Sequence, residues 1–251
     1  MQDNFYEDRI KRRGENSQLE LKKIGNDFML ESFDRSYSYN FDWLSLPIIQ
    51  YPEDIVRLQE IIWLQQPDCI VETGIARGGS LIFSASMLAL MDARDHCEGK
   101  SIKPRSVIGI DIDIRDHNRS RIENHFLSKK ITMVQGSSVD AGIFGKVLKL
   151  IEGYTNILVL LDSNHSESHV LEELNIYSEL IKVGGHLVVY DTVCELLGDK
   201  IPAEKGWGRG NNPHTAVEKF LKKNDSFILD EGLNNSAVIS TCASGYLKRI
   251  K

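Results

Sequence analysis

The stretch IVETGIARGGSLIFSAS, residues 70–86, changes character in its middle. Apolar residues end in an acid, three glycines follow at positions 74, 78 and 79, and small and apolar residues then resume at helical spacing. This pattern predicts a buried strand, a tight loop and a helix, with Ser80 as a cap at the start of the helix. Glycines accept positive φ angles and let a ligand approach the backbone, and free amides at a helix start favour a carboxylate or phosphate. We therefore expect a ligand at this loop.

The chain on either side of this loop alternates between strand and helix patterns. The runs that predict strands are residues 69–73, 106–112, 131–136, 156–162 and 186–191. The helical patterns between and after them are residues 80–92, 117–128, 141–151, 167–182 and 213–223. Apolar strands separated by helices predict an α/β fold, with a mostly parallel sheet covered by helices on both faces. Residues 226–231 and 237–250 predict one or two more strands, antiparallel at an edge.

The first 50 residues differ from the remainder. They are polar and charged up to about residue 40 and then rich in aromatic residues and turn formers, which predicts a small helical or irregular cap over residues 1–50. Residues 52–66 have a proline and two acids at their start and apolar residues at helical spacing, so the catalytic domain is predicted to span residues 51–251.

Composition excludes several classes of protein. The 251 residues carry a formal net charge of −6, so no general basic field exists to hold a nucleic acid. Cys69, Cys97, Cys194 and Cys242 are scattered, which predicts reduced thiols and no disulfide framework. No apolar run approaches the ~18 residues that span a bilayer. We expect a soluble cytoplasmic protein without a membrane or nucleic-acid partner; whether it forms a homo-oligomer stays open.

Acidic residues follow the predicted strands. Asp111 and Asp113 end the second strand, where a carboxylate usually accepts hydrogen bonds from a ribose, and one of the two is expected to be a solvated strand-end acid. Gln135, Ser137 and Ser138 end the third strand and are candidates for contact with an adenine edge.

Two later strands end in Asp162 and Asp191, which parallel pairing brings to one edge of the sheet. Their oxygens suit Mg²⁺, which favours one or two carboxylates with water and substrate oxygens. His165 faces the same space and is the candidate general base for a substrate hydroxyl. His165 and His169 also have the i, i+4 spacing of two zinc ligands, but no third ligand is evident, so magnesium is preferred over zinc.

Four motifs, in this order and spacing, are similar to the cephalosporin hydroxylase/rhamnosyl O-methyltransferase family: IVETGIARGGS, GIDIDIR, LLDSNHSESHVLEEL and VGGHLVVYDT. The resemblance extends over roughly residues 36–250 and implies a class I S-adenosylmethionine (SAM)-dependent methyltransferase fold, which is Rossmann-like. It implies that the glycine loop holds the methionine part of SAM, that Asp111 binds the ribose and that Ser138 lies beside the adenine. The full set of expected SAM-binding residues is Glu72, Gly74, Ala76, Arg77, Gly79, Ser80, Asp111, Ser138 and Asp162.

The resemblance also implies which residues bind a metal and which are catalytic. Similar enzymes that methylate macrolide sugars bind Mg²⁺ through an aspartate matching Asp162 and an acidic pair matching positions 190 and 191, with a histidine matching His165 as base. Here Asp162 and Asp191 are the expected metal ligands and His165 and Asp162 the expected catalytic residues. Tyr190 departs from the pattern, because a neutral phenol is a poor ligand at pH 7. By strand alternation it is predicted to point away from the Asp191 face.

The leading interpretation is an O-methyltransferase that moves a methyl group from SAM to a hydroxyl of a sugar or glycosylated metabolite. One alternative is a SAM- or nucleotide-sugar-binding protein of the same fold without turnover, which the tyrosine at position 190 favours. A dinucleotide oxidoreductase is disfavoured because the loop lacks the G-x-G-x-x-G spacing. Residues 200–214, rich in glycine and proline around Trp207, are predicted to form a mobile flap over the substrate.

Overall fold

The computed structural model describes residues 4–14 and 18–251. Residues 1–3 and 15–17, which belong to the predicted cap, lie outside the described residues. The strands are β1 (Asp42–Trp43), β2 (Leu46–Pro47), β3 (Cys69–Thr73), β4 (Ser106–Asp111), β5 (Ile131–Gln135), β6 (Ile157–Leu161), β7 (His186–Val189), β8 (Phe227–Leu229) and β9 (Tyr246–Arg249).

The α-helices follow the predicted alternation closely. They are α1 (Phe5–Gly14), α2 (Gln18–Asp34), α3 (Pro52–Gln65), α4 (Gly79–Cys97), α5 (Asp116–Glu123), α6 (Ala141–Leu150), α7 (Glu167–Tyr177), α8 (Cys194–Leu197), α9 (Pro213–Lys223) and α10 (Glu231–Ser236). The predicted helix over 167–182 ends early, at Tyr177, and continues as a 3-10 turn over Ser178–Leu180. In the described part of the chain, no helix combines the length and the apolar character needed to cross a bilayer.

Seven strands form one sheet in the order β5-β4-β3-β6-β7-β9-β8. Strands β3 to β7 are parallel, and β9 inserts antiparallel between β7 and β8, which confirms a mostly parallel sheet with an antiparallel edge. The predicted strand over 237–250 is shorter than expected. Ser240 and Thr241 donate hydrogen bonds to the buried Asp54 carboxylate instead of pairing with a strand, so only β9 remains.

Helices cover both faces of the sheet, and the two-residue period of the strands divides the core accordingly. Along β6, Leu158 and Leu160 face the cluster beneath α3 and α4, whereas Val159 and Leu161 face the cluster beneath α6, α7 and α9. Because every strand residue from 157 to 161 is buried, the run reads as continuously apolar in the sequence.

The order of the sheet reverses at β3, which lies between β4 and β6. Ligands of open α/β sheets bind beyond the carboxyl ends of the strands at such a reversal. Gly74, directly after β3, has a φ of +91°, and a methyl group there would lie 2.6 Å from the carbonyl carbon of Asp162 and closer still to its oxygen. The glycine loop and Asp162 are therefore held against each other at the switch point.

The segment before α3 packs on the domain in two places. Leu46 and Ile48 belong to the main core cluster, beside α4. Met29 of α2 packs with Val193 and Leu197 at α8, in a smaller cluster that also holds Tyr51. This N-terminal segment thus forms a wall on the same side of the sheet as the strand ends.

Candidate active site

The glycine loop after β3 is fastened to the end of β4 by Asp111. The Asp111 carboxylate accepts hydrogen bonds from the backbone amides of Ile75 at 2.8 Å and Ala76 at 3.2 Å, and from that of Asp113 at 3.0 Å. A carboxylate has about four lone-pair sites, so capacity to accept from a ribose hydroxyl remains. Asp113 is exposed, as expected for the solvated acid of the two.

The other glycines of the loop serve protein packing as much as ligand approach. A methyl at Gly78, whose φ is +87°, would lie 2.5 Å from the Ile122 side chain, and one at Gly79 would lie 2.7 Å from the Cα of Ile48. Ala76 adopts a φ of +44° without being glycine. The bare backbone over 78–79 is required because α5 and the N-terminal segment press onto the loop.

Glu72 is buried under this loop with one unpaired oxygen. Ser80 Oγ donates to Glu72 Oε1, while Glu72 Oε2 has no hydrogen-bond partner among the residues that the structure describes. Burial raises the pKa of Glu72 to about 8, and the Ser80 hydrogen bond opposes this shift only in part. The expectation that Ser80 caps α4 was wrong: Gly78 occupies the N-cap position, and the Ser80 hydroxyl is engaged with Glu72.

Two cavities run along the loop. One of about 230 Å³ extends past Asp111 towards Ser138 and His169, and a small one of about 40 Å³ extends past Arg77, Gly79 and Ser80 under Gln50. Gly74, Ala76 and Asp162 line both cavities. Each expected SAM-binding residue except Glu72, which is buried beneath the loop, lines one of these two neighbouring cavities, which we call together the groove of the glycine loop.

A polar network at the far end of the groove was missed by the sequence reasoning. His169 Nε2 lies 3.1 Å from Ser138 Oγ and 3.2 Å from Ser163 Oγ, and Ser163 Oγ donates to the buried Glu173 at 2.7 Å. The hydroxyl of Tyr177 donates to the backbone carbonyl of Ser138 at 2.9 Å. The signal in the sequence is the i, i+4 pair His169 and Glu173 on α7, whereas the sequence analysis weighs His169 only with His165 as a zinc pair.

His165 and His169 do not form a zinc pair. Helix α7 begins at Glu167, so His165 belongs to the preceding loop and the helical i, i+4 geometry does not apply to it. His165 turns instead towards the ends of β6 and β7, where its Nε2 lies 3.2 Å from Asp191 Oδ2 and 3.9 Å from Asp162 Oδ1. The structure thus brings together the three residues expected at the sheet edge.

The backbone after β7 sets the position of Asp191. Strand β7 ends at Val189, and Asp191 adopts a left-handed conformation with φ +56°. Tyr190 is 3% exposed and packs in the main core cluster. Its side chain therefore points away from the face that Asp191 uses, as predicted. Burial raises the pKa of Tyr190 well above its ordinary value, so its hydroxyl stays neutral and does not reach the cleft as an anionic ligand.

The cleft at the ends of β3, β6 and β7 is rich in acidic side chains. Glu72, Asp162, Asp191 and Glu173 lie at or beneath it, and within the described ranges none of them forms an ion pair with a lysine or arginine. Burial raises the pKa of Asp162 well above its usual range, and the charges of Asp191 and Glu72 raise it further. A cationic ligand relieves this repulsion, so the residues fit SAM, which carries a sulfonium and an ammonium group.

The same cleft contains two kinds of metal-binding chemistry. Asp162 and Asp191 provide two carboxylates beside one imidazole, and this oxygen donor pair fits Mg²⁺ completed by water. The tightest group of donors is different: atoms of His165, Asp191 and Cys194 all lie within 4.8 Å of one another. Asp162 is not part of that group.

A third cavity, of about 540 Å³, is also lined by His165. Aromatic side chains from the N-terminal segment, including Tyr37 and Tyr51, form one wall, and Asp191 and Trp207 lie on the opposite wall. The ring of Trp207 lies 4.7 Å from that of His165. The predicted flap, 200–214, is held here by hydrogen bonds of Asn212 to Glu195 and Gly208.

Comparison with known proteins places this architecture among methyltransferases. A structure of CmcI with magnesium and SAM is 19% identical, covering 85% of this chain and 78% of that chain with a TM-score of 0.57. The O-methyltransferase TomG from Streptomyces achromogenes, in complex with SAM, is 15% identical, covering 92% and 90% of the two chains with a TM-score of 0.51. The fold is that of SAM-dependent methyltransferases, as expected.

Sequence comparison narrows the assignment. The rhamnosyl O-methyltransferase of Mycobacterium tuberculosis strain H37Rv is 27% identical over 202 residues, which cover 78% of this chain and 74% of that protein. The rhamnosyl O-methyltransferase of Mycobacterium leprae is 25% identical over 203 residues, covering 78% and 80%. The family model described as rhamnosyl O-methyltransferase/CmcI matches residues 35–250. This chain therefore belongs to the rhamnosyl O-methyltransferase/CmcI family.

Proposed function

We propose that this protein transfers a methyl group from SAM to a hydroxyl of a sugar or glycosylated metabolite, with His165 as the general base. The observation that carries the proposal is the junction of two cavities. Asp162 lines the groove of the glycine loop, and His165, 3.9 Å away, lines the larger aromatic cavity. A donor in the groove and an acceptor in the larger cavity therefore meet at this pair. The chain's membership of an O-methyltransferase family supports the same activity.

Each residue has a separate part in the reaction. Asp111 accepts hydrogen bonds from the ribose hydroxyls, and Glu72 and Asp162 stabilise positive charge near the loop. His165 accepts the proton of the acceptor hydroxyl, and the Asp191 carboxylate, 3.2 Å from Nε2, stabilises the imidazolium that forms. The ring of Trp207 limits the orientations open to His165 and excludes water from one face of it.

The bound groups supply the remaining chemistry. SAM carries an electrophilic methyl on sulfur, and as the acceptor oxygen bonds to this carbon, the carbon–sulfur bond breaks and its electron pair stays on sulfur. Mg²⁺ held by Asp162 and Asp191 would lower the pKa of the acceptor hydroxyl. The chain's own contribution is to align the two partners in the junction, where effective concentration is high.

The test is a methyl-transfer assay on a panel of glycosylated metabolites, read by mass spectrometry as a gain of one methyl group. His165→Gln should lower turnover by about 100-fold or more, since general base catalysis contributes about 10²–10⁴-fold. SAM affinity should stay nearly unchanged, because His165 faces the acceptor side. His96→Gln is the matched control, because His96 is exposed and lies at the end of α4 opposite to the glycine loop.

Three results would contradict the proposal. Wild-type turnover in the His165→Gln protein would show that His165 is not the general base. Loss of SAM affinity in this variant would show that His165 belongs to the donor site. Binding of SAM without turnover on any acceptor would favour the alternative of a binding protein, which the buried Tyr190 already motivates.

We also propose a small-molecule acceptor and a reducing, cytoplasmic setting. All four cysteines are free, and three of them are buried within the fold. Free buried thiols are typical of proteins in reducing compartments.

A further inference from the structure

Cys194 lies at the edge of the cleft and has no role in the proposed reaction. It begins α8, three residues after Asp191, and its amide donates to the Asp191 carbonyl at 3.0 Å. This single turn holds the two side chains together. Cys194 is 2% exposed, and its thiol is not part of a disulfide.

The sulfur completes a compact set of three different donors. A nitrogen of His165, an oxygen of Asp191 and the sulfur of Cys194 lie within 4.8 Å of one another. In the described ranges this is the one group of three or more such residues with that spacing. Because the three residues come from two loops, at the ends of β6 and β7, their convergence depends on the sheet and not on a local motif.

The spacing of these donors matches a tetrahedral metal. Zinc binds histidine nitrogen and carboxylate oxygen at about 2.0–2.2 Å and thiolate sulfur at about 2.3 Å, which separates neighbouring donors by about 3.3–3.6 Å. The His165–Asp191 separation of 3.2 Å is already close to this value. The sulfur lies within 4.8 Å of the other two donor atoms, so it needs to approach them by at most about 1.5 Å, which a rotation about its side-chain bond can supply.

The donor types also discriminate among metals. Imidazole and thiolate favour zinc, cobalt and related transition ions, whereas Mg²⁺ requires oxygen donors. The oxygen pair Asp162 and Asp191 and the mixed set His165, Asp191 and Cys194 share Asp191 alone. Because Asp191 belongs to both sets and two divalent cations this close repel each other, filling one set disfavours filling the other.

We propose that His165, Asp191 and Cys194 form a site for a divalent transition metal such as zinc, and that its occupation inhibits methyl transfer. The Cys194 thiol loses its proton to solvent as the sulfur–metal bond forms, and water completes the fourth position. Inhibition rests on the proposed function, because a metal bound to His165 removes the lone pair with which this residue accepts the acceptor proton. The metal site itself does not depend on it.

Cobalt titration of the metal-free protein tests the site without any turnover. Wild-type protein should show a thiolate-to-cobalt charge-transfer band that saturates at one equivalent and persists in a large excess of Mg²⁺. The band should be absent in Cys194→Ser and retained in the control Cys97→Ser, which removes the exposed cysteine. Zinc affinity of Cys194→Ser should fall by about 100-fold or more, since loss of even an outer partner of a metal ligand costs about 10–100-fold.

Three results would overturn the site: no band in the wild type, a band that survives Cys194→Ser, or a band lost in Cys97→Ser. If a thermal melt shows that Cys194→Ser does not fold, His165→Gln replaces it and must weaken cobalt binding. The inhibition is tested separately, by measuring the zinc concentration that halves the rate that each protein shows without zinc. This concentration should rise in Cys194→Ser in proportion to its loss of affinity, and equal potency in both proteins would overturn the inhibitory role.

Discussion

Replacing Gly74 by alanine should damage both the stability of the fold and the affinity for SAM. The added methyl would lie 2.6 Å from the Asp162 carbonyl carbon, whereas real side-chain Cβ atoms keep at least 3.0 Å. The obstacle is backbone in a paired strand end, so the ends of β3 and β6 must separate by about 1 Å, and such overpacking typically costs about 1–3 kcal/mol. A positive φ adds roughly 1–2 kcal/mol for any residue with a side chain.

The matched control is Gly153→Ala. Gly153 has a φ of +90°, almost the value of Gly74, but a methyl there meets nothing within 4 Å. The cost of positive φ and the altered entropy of the unfolded chain are therefore common to both variants. Urea unfolding followed by circular dichroism should place Gly74→Ala about 1–3 kcal/mol below Gly153→Ala, and calorimetry should show weaker SAM binding in Gly74→Ala alone. Equal stabilities would refute the close approach of the two strand ends.

Three further outcomes are expected. Asp111→Asn should weaken SAM binding by about 1.5–3 kcal/mol in calorimetry, because a charged acceptor is lost, whereas Asp113→Asn, which changes an exposed acid, should not. Burial raises the pKa of Glu72 to about 8, and a bound cation favours the ionised form of this carboxyl group. SAM binding at pH 7 should therefore release protons, and its affinity should increase from pH 6 to 8. Calorimetry in two buffers measures the proton release, which Glu72→Gln should abolish. Burial raises the pKa of Asp54 to about 6, above its unfolded value of about 3.9, so Asp54 alone should lower the free energy of unfolding by about 3 kcal/mol as pH rises from about 4 to 7. In denaturant melts the decline over this range should be smaller by about this amount in Asp54→Asn than in the wild type.

The sheet was predictable because its information is local. Each apolar run from 69 to 189 is short, ends in a polar residue and is followed by residues with helical spacing. The strands, their parallel direction and the common edge at which they end therefore follow from the pattern alone. The same logic predicts that Asp162 and Asp191 converge at one edge of the sheet. In the structure a carboxylate oxygen of each lies near His165 Nε2, at 3.9 Å and 3.2 Å respectively.

What escaped prediction depends on contacts between distant parts of the chain. The glycines at 78 and 79 were attributed to a ligand, but the space beside them is filled by Ile122 and Ile48, which no local pattern reveals. Cys194 was counted only as a scattered thiol, because its value as a donor depends on where the loop after β6 places His165. The i, i+4 spacing of His165 and His169 has no helical meaning, because α7 begins at Glu167 and His165 lies in the loop before it.

The wall that α2 and the following residues build beside the strand ends has a consequence for how such proteins diversify. The large cavity is bounded by this early stretch and by the loop carrying Trp207, whereas the groove of the glycine loop draws on residues 74–138 and on the 162–169 loop. Changes in residues 29–39 therefore reshape what the cavity admits without disturbing the groove. A chimera carrying another relative's first forty residues would be a direct route to new selectivity with the cosubstrate machinery left intact.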